Sequence, residues 1–282
     1  DIMQDAPRWS VVRPSNNPAT YSRGSGYFDS GEPAPRHTYY HGHVVDIAGS
    51  PVIVHVCLTG GQSPTQNMSV LQTDAFHTAT GQWDLFGNGW SPAPGAVTSV
   101  LAMCAAKDPR TQHIWFADGS PGPVISHLNP ATRQWTVATG NMNNWGINFC
   151  GSVIDTVRDR FVFANSFSQQ FPGSFGMWNI SASTYEDHAL TGAGAPLFIG
   201  GASNPTYSGF AHDTTNDRYI WLNPSNGQVL AVNPVTWDTT LVTTTVVPAI
   251  TVAVNRFAYI PALKGIVYLP DWTTELYFMP VV

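Results

Sequence analysis

The sequence predicts an all-β fold: one β-propeller of five blades, closed into a ring by its own N-terminal strand. Three observations predict it. A single hairpin pattern recurs five times, an aromatic residue follows four of those hairpins, and the last copy lacks a strand that the N-terminal segment resembles.

The hairpin comes first because internal repeats decide the architecture of a chain like this. The windows are VVDIAGSPVIVHV from Val44, AAKDPRTQHIWFA from Ala105, VIDTVRDRFVFAN from Val153, AHDTTNDRYIWLN from Ala211 and YIPALKGIVYLPD from Tyr259. Aligned without a gap, each reads as a short strand, a polar turn and a strand rich in β-branched and aromatic residues. Asp108, Asp155 and Asp213 recur at the turn, with Asp159 and Asp217 inside it. They are expected to form the turn, at a cost of roughly 0.5–2 kcal/mol if Asp155 or Asp213 is replaced by Ala.

A second pair of strands follows each of the first four hairpins. Its signature is an aromatic: TATGQWDLF around Trp83, PATRQWTVA around Trp135, SASTYEDHAL with Tyr185, and PVTWDTTLV around Trp237. Such a ring buries about 150–250 Å² against the hairpin in front of it. The period of roughly 50–60 residues suits a four-stranded blade with long loops. The fifth copy has only TELYFMPVV after its hairpin. APRWSVVRP, around Trp9, resembles the missing strand, so residues 8–13 are expected to complete the last blade and remove a raw edge. The whole of 1–282 is then one domain. Residues 14–35 form a polar connection, and the segment 192–207 leaves room for extra strands and a degenerate sixth blade. No window keeps a helical period.

Composition narrows the function. Of 282 residues 43% are apolar and 11% charged, and the net charge is −6. The only lysines are Lys107 and Lys264, so no basic stripe exists for a nucleic-acid partner. No apolar run approaches the roughly 20 residues that span a bilayer, and membrane insertion is not expected. Cys57, Cys104 and Cys150 follow no metal-ligand spacing and sit in apolar runs, which fits buried small hydrophobes.

Propeller ligands are expected where the loops entering the innermost strands meet those joining second and third strands. Arg36, Trp90, Asn144, Trp145, Tyr207, Arg256 and Trp272 fall there. Aromatics beside amides and guanidinium groups suit a flat polar ligand such as a sugar; in the alternative, the tryptophans seal gaps between blades and the asparagines make turns. The arginines are expected to hold the channel wall through backbone carbonyls. Trp145→Ala or Trp272→Ala is expected to abolish binding with little change in melting temperature.

His37, Tyr39, His41 and His43 share one side of a strand in RHTYYHGH, with His55 on the neighbouring strand. Imidazoles at such spacing can hold zinc or copper, but no cysteine or carboxylate completes the set, so structural histidines and no metal or other cofactor are expected. The three glutamates, Glu32, Glu186 and Glu275, are a poor supply for the carboxyl pair of a glycosidase. There is no nucleophile elbow or phosphate loop, and no catalytic residue is assigned.

PRHTYY before the first hairpin, Gly60-Gly61 after its second strand and the later NPATRQW resemble Kelch repeats, the propeller type of the galactose-oxidase central domain. The stretch NRFAYIPALKGIVYLPDWTTELYFM is similar to the closing repeat of Kelch-like proteins of bacteria and their phages. The resemblance implies a rigid disc that presents loops. The function expected is a non-catalytic recognition or structural module for a glycan or protein partner. It would be secreted or part of a virion, as a tail or capsid appendage in a larger assembly. The alternative is an extracellular carbohydrate-active enzyme, a lyase, hydrolase or oxidase, on the same scaffold.

Overall fold

A computed structural model describes residues 42–56, 58–59, 69–70, 73–84, 88–91, 104–117, 124–139, 151–164, 174–198, 208–223, 227–242, 253, 256–270 and 276–281. Blade 1 pairs β1 (Gly42–Ile47), β2 (Ser50–His55), β5 (Asp74–His77) and β6 (Gln82–Asp84) in that order, with a small ribbon of β3 (Leu58–Thr59) and β4 (Ser69–Val70) between β2 and β5. Blade 2 holds β7 (Cys104–Lys107), β8 (Ile114–Ala117), β9 (Ile125–Asn129) and β10 (Gln134–Thr139). Blade 3 holds β11 (Ser152–Asp155), β12 (Arg160–Ala164), β13 (Ser174–Asn179) and β14 (Thr184–Ala189). Blade 4 holds β15 (Gly209–Asp213), β16 (Arg218–Leu222), β17 (Val229–Val232) and β18 (Thr239–Val242). The last blade has three described strands, β19 (Phe257–Ile260), β20 (Gly265–Tyr268) and β21 (Tyr277–Pro280). Consecutive first strands pack together, β1 on β7, β7 on β11, β11 on β15 and β15 on β19. The chain is a five-bladed β-propeller.

The apolar interior lies between the blades. One buried cluster fills each gap from blades 1 and 2 through blades 4 and 5. Side chains on a strand alternate between faces, and here both faces are covered. Phe161 and Phe163 of β12 pack toward blade 2, while Val162 and Ala164 pack toward blade 4. Tyr219 and Trp221 face blade 3, and Ile220 and Leu222 face blade 5. This is why RFVFA and RYIWL read as unbroken apolar runs. The recurrent aromatic covers the hairpin as expected: ring centroids are 5.9 Å apart for His55–Trp83, 5.1 Å for Phe116–Trp135 and 6.4 Å for Phe163–Tyr185. Trp237 also stacks on His188 of blade 3 at 4.5 Å.

Turn chemistry punctuates the blades. Asp155 Oδ1 accepts the backbone N–H of Val157 and Arg158 (2.9 and 3.0 Å), and Asp213 Oδ1 those of Thr215 and Asn216 (3.1 and 3.2 Å). Asn129 and Asn233 do the same in the outer turns, at 3.0 and 3.2 Å and at 2.8 and 3.0 Å. These turns end in a left-handed residue, such as Gln112, Asp159, Asp217, Arg133 or Trp237, as four-residue hairpin loops built on a type I turn require.

The gapless alignment of the five windows needs correction. The loops close on the pairs Asp108–His113, Asp155–Arg160, Asp213–Arg218 and Ile260–Gly265, and blade 1 closes at Ile47–Ser50 with a shorter turn. Centred on these closures, windows 2 and 5 are each out of step by about one residue. Part of segment 192–207 also differs from the expected extra strands. Within 192–198 the chain forms one helical turn, α1 (Ala195–Phe198), tied to blade 4 by Gly194 N–H donating to the Thr239 carbonyl at 2.8 Å. Phe198 inserts beside Phe175 and Trp221 at 4.9 and 4.7 Å. Among the described residues there is no sixth blade. The closing segment 8–13 lies outside the described residues.

Close packing near the axis depends on two glycines. A Cβ on Gly151 would stand 2.4 Å from Phe210 Cβ, and one on Gly209 would meet Phe257 Cγ at 2.6 Å. Each glycine lies four residues before its hairpin Asp, and each phenylalanine three residues before the closing position of the next blade. In blade 2 the glycine position is Cys104, and the next blade offers Ser152 in place of Phe. Gly209→Ala should therefore cost about 1–3 kcal/mol through overpacking. Thermal denaturation beside a Gly42→Ala control, where the nearest atom to an added Cβ lies 4.0 Å away, checks this; an unchanged melting temperature would mean that the inner strands shift freely.

Candidate functional site

Where the first strands converge, they line an open cavity of about 360 Å³ on the propeller axis. It is walled by β1 (His43), β7 (Ala105, Lys107), β11 (Ser152, Ile154), β15 (Phe210, His212) and β19 (Phe257, Tyr259). Corrected for register, Lys107, Ile154, His212 and Tyr259 occupy one position, the residue before the hairpin closure. The neighbouring Asp is constrained by the turn; this position is not, and the blades fill it with unlike chemistry. Its counterpart in blade 1 is Asp46.

Each of these groups has its own setting. Lys107 makes no hydrogen bond or ion pair among the described residues; burial lowers its pKa, and the charge of Asp46 only partly restores it. His212 is 7% exposed, its Nε2 lies 3.3 Å from Asp217 Oδ1, and its buried Nδ1 has no partner among the described residues. Tyr259 is anchored through its hydroxyl to Thr215 Oγ1 of blade 4. Ser152 Oγ, also buried, has no partner among the described residues.

Around the cavity end formed by the hairpin turns runs a belt of contacts between blades. The Asp46 N–H donates to Gln112 Oε1 of blade 2 at 2.9 Å. Arg110 of blade 2 binds its own Asp108 at 2.9 Å and Asp159 of blade 3 at 2.6 Å. Arg158 of blade 3 binds Asp155 and Asp217 of blade 4, each at 2.9 Å through one nitrogen. Tyr219 donates its hydroxyl to Asp155 Oδ2 at 2.6 Å. For Asp155 burial opposes ionisation, but the bonds from Tyr219 and Arg158 outweigh it and hold its pKa below the ordinary value. Asp217 is lowered chiefly by Arg158. The carboxylates near the axis are thus committed to the scaffold.

Of the residues singled out from sequence, Trp90 and Arg256 are described; Arg36, Asn144, Trp145, Tyr207 and Trp272 lie outside the described residues, as do His37 and His41. Trp90 is 3% exposed in the core between blades 1 and 2. It sits against the outer turn of blade 2, where the Arg133 guanidinium lies 5.4 Å from its ring centroid and Ser91 N–H bonds the Arg133 carbonyl at 2.9 Å. Arg256 precedes β19 with an exposed side chain that donates to the Pro270 carbonyl at 2.7 Å. The two are not brought together. Sequence reading missed Lys107, His212, Tyr259 and Ser152. Superposing the repeats on their turn closures would have shown four polar residues, Asp46, Lys107, His212 and Tyr259, sharing one position.

Away from the axis, His127 stacks on His113 at 5.0 Å and lies tilted against Trp115 at 4.6 Å. Burial, and then the neighbouring His113, push its pKa down to about 4. Its unfolded value is about 6.5, so between these values the unfolded chain binds more protons than the native one. Stability is complete above about pH 6.5 and lost as pH falls toward 4, by on the order of 1–2 kcal/mol after solvent screening. Below about pH 3.8, Asp108, Asp155, Asp213 and Asp217, all lowered, add a second loss. Denaturant titrations at pH 7.5 and 5 should differ in midpoint, and His127→Phe should flatten that difference.

No protein-family model matches the chain, and no curated protein matches it. Among solved structures it is similar to virginiamycin B lyase from Staphylococcus aureus, at 9% identity and a TM-score of 0.50 over 87% of this chain and 71% of that one. TolB from Acinetobacter baumannii is similar at 11% identity and a TM-score of 0.45 over 73% of this chain and 45% of that one. At such identities the likeness concerns fold alone. Among the described residues, no helix is long and apolar enough to cross a membrane. The propeller fold fits a binding or structural module.

Proposed function

We propose that this propeller is a non-catalytic recognition module that binds a glycan along its axis. The observation that carries the reading is the cavity itself, with unlike polar groups at equivalent positions of successive blades and the rings of Phe210, Phe257 and Tyr259 beside them. Its volume is at the lower end of ligand pockets, which suits one sugar residue better than the broad patch a protein partner buries. Its described lining contains no carboxylate, and hydrolysis of a glycosidic bond would use two. The repeats are read as Kelch-like on PRHTYY, Gly60-Gly61 and NPATRQW. Exposure outside the cell, as a secreted protein or a virion appendage, agrees with a surface that carries few charges.

The test is a glycan array followed by calorimetry, with the bound oligosaccharide recovered and sized. Retention of a glycan that is recovered intact is expected. Cleaved or oxidised product would overturn the non-catalytic reading, and capture of a protein with no glycan retained would overturn the glycan reading.

A further inference from the structure

We infer that the axial cavity selects an acidic sugar, a uronic acid residue, with its carboxylate against Lys107 and one of its hydroxyl groups donating to Nδ1 of His212. The inference rests on the glycan reading above and names the class of glycan.

The charge argument starts from scarcity. The chain has two lysines and a net charge of −6, yet one of the two lines this cavity without an ion-pair partner among the described residues. The arginines of the belt are committed: Arg110 to Asp108 and Asp159, Arg158 to Asp155 and Asp217, Arg218 to Asp213. Those pairs neutralise Asp108, Asp155, Asp159, Asp213 and Asp217, while the Lys107 ammonium has no ion-pair partner among the described residues and feels only the more distant charge of Asp46. A partly buried ammonium gains most from an anion that shares its cavity, because attraction strengthens as water is excluded.

The hydroxyl argument comes from tautomerism. A carboxylate only accepts hydrogen bonds, so His212 Nε2, at 3.3 Å from Asp217, carries the ring proton. With that proton on Nε2, Nδ1 offers a lone pair as an acceptor. It is buried and unpartnered among the described residues, and a buried acceptor without a donor is destabilising until a donor reaches it. A sugar hydroxyl is such a donor. Ser152 Oγ, also unpartnered among the described residues, can give or accept another bond. Phe210 and Phe257 supply apolar wall for the C–H faces of a pyranose ring. A simple anion would use Lys107 alone, and a neutral sugar would use His212 and Ser152 alone; a uronic acid uses all three.

Calorimetry with di- and trigalacturonate, their neutral galactose counterparts and acetate tests this. The galacturonates should bind at least tenfold more tightly than the neutral sugars, and acetate should not compete at equal concentration. Lys107→Met should erase the preference while leaving residual affinity for both sugar types, and Lys107→Arg should retain it. His212→Phe should weaken acidic and neutral sugars alike. Equal affinity for neutral and acidic sugars, in the wild-type protein and therefore independent of any variant's folding, overturns the uronic acid while the glycan reading stands. Equal affinity for acetate overturns it in favour of a plain anion site. Binding of no saccharide at all, on this panel or the array, overturns both.

Discussion

Replacing Asp155 with alanine is expected to lower stability by about 3–5 kcal/mol, the range seen when one partner of a buried charged pair is removed. This exceeds the 0.5–2 kcal/mol that a turn residue alone would give. Asp155 is fully buried and acts in two directions. One oxygen holds the turn through the N–H groups of Val157 and Arg158; the other accepts from Arg158 and from Tyr219 of blade 4. Alanine would leave the Tyr219 hydroxyl buried without an acceptor and would free one arm of the Arg158 bridge. Asp213 is equally buried and makes the same turn, but its recorded partners, Thr215, Asn216 and Arg218, all belong to its own blade. Asp213→Ala also removes an ion-pair partner, but from the more exposed Arg218, and strands no buried hydroxyl of another blade, so it should cost less, about 1–2 kcal/mol. For a chain of this size the difference amounts to a gap of several degrees in melting temperature. Equal losses in the two variants would show that the bonds between blades add nothing.

Much of this fold was legible because the sequence repeats what a blade needs locally. Hairpin closure by Asp, an Asx turn at Asn129 or Asn233 and a covering aromatic are contacts between residues close in sequence. What could not be read joins residues far apart. Gly209 is tight only because Phe257 of the next blade, 48 positions away in sequence, leans on it. A gapless alignment misses the register of blades 2 and 5, since a one-residue slip still keeps strand, turn and strand in place. That slip set Lys107 against Asp155 and hid the position it shares with His212 and Tyr259. Trp90 drew attention as an aromatic between Gly89 and Ser91 in a loop-like stretch, yet an indole in such a stretch also serves to seal two blades, and its burial depends on Arg133 some forty residues on.

Deleting residues 1–13 is expected to have the largest effect of any change short of removing a blade. Blades 1 to 4 each have four described strands, and the last has three, ending at β21. Phe278 of β21, the outermost described strand of that blade, is 49% exposed, as is Leu276 just before it. An edge strand left without a partner templates pairing with other chains. We propose that Arg8 to Arg13 pairs with β21, with Trp9 in the place that Trp83, Trp135, Tyr185 and Trp237 take in the other blades. A ring of 150–250 Å² buried at about 25 cal/mol per Å² contributes roughly 4–6 kcal/mol, before any backbone bonds along the strand. The truncated protein should melt at least ten degrees lower and elute as oligomers. Trp9→Ala should reproduce most of the melting shift with less oligomerisation, because the backbone pairing survives. A deletion variant that stays monomeric with an unchanged melting temperature would place the closure of the ring elsewhere.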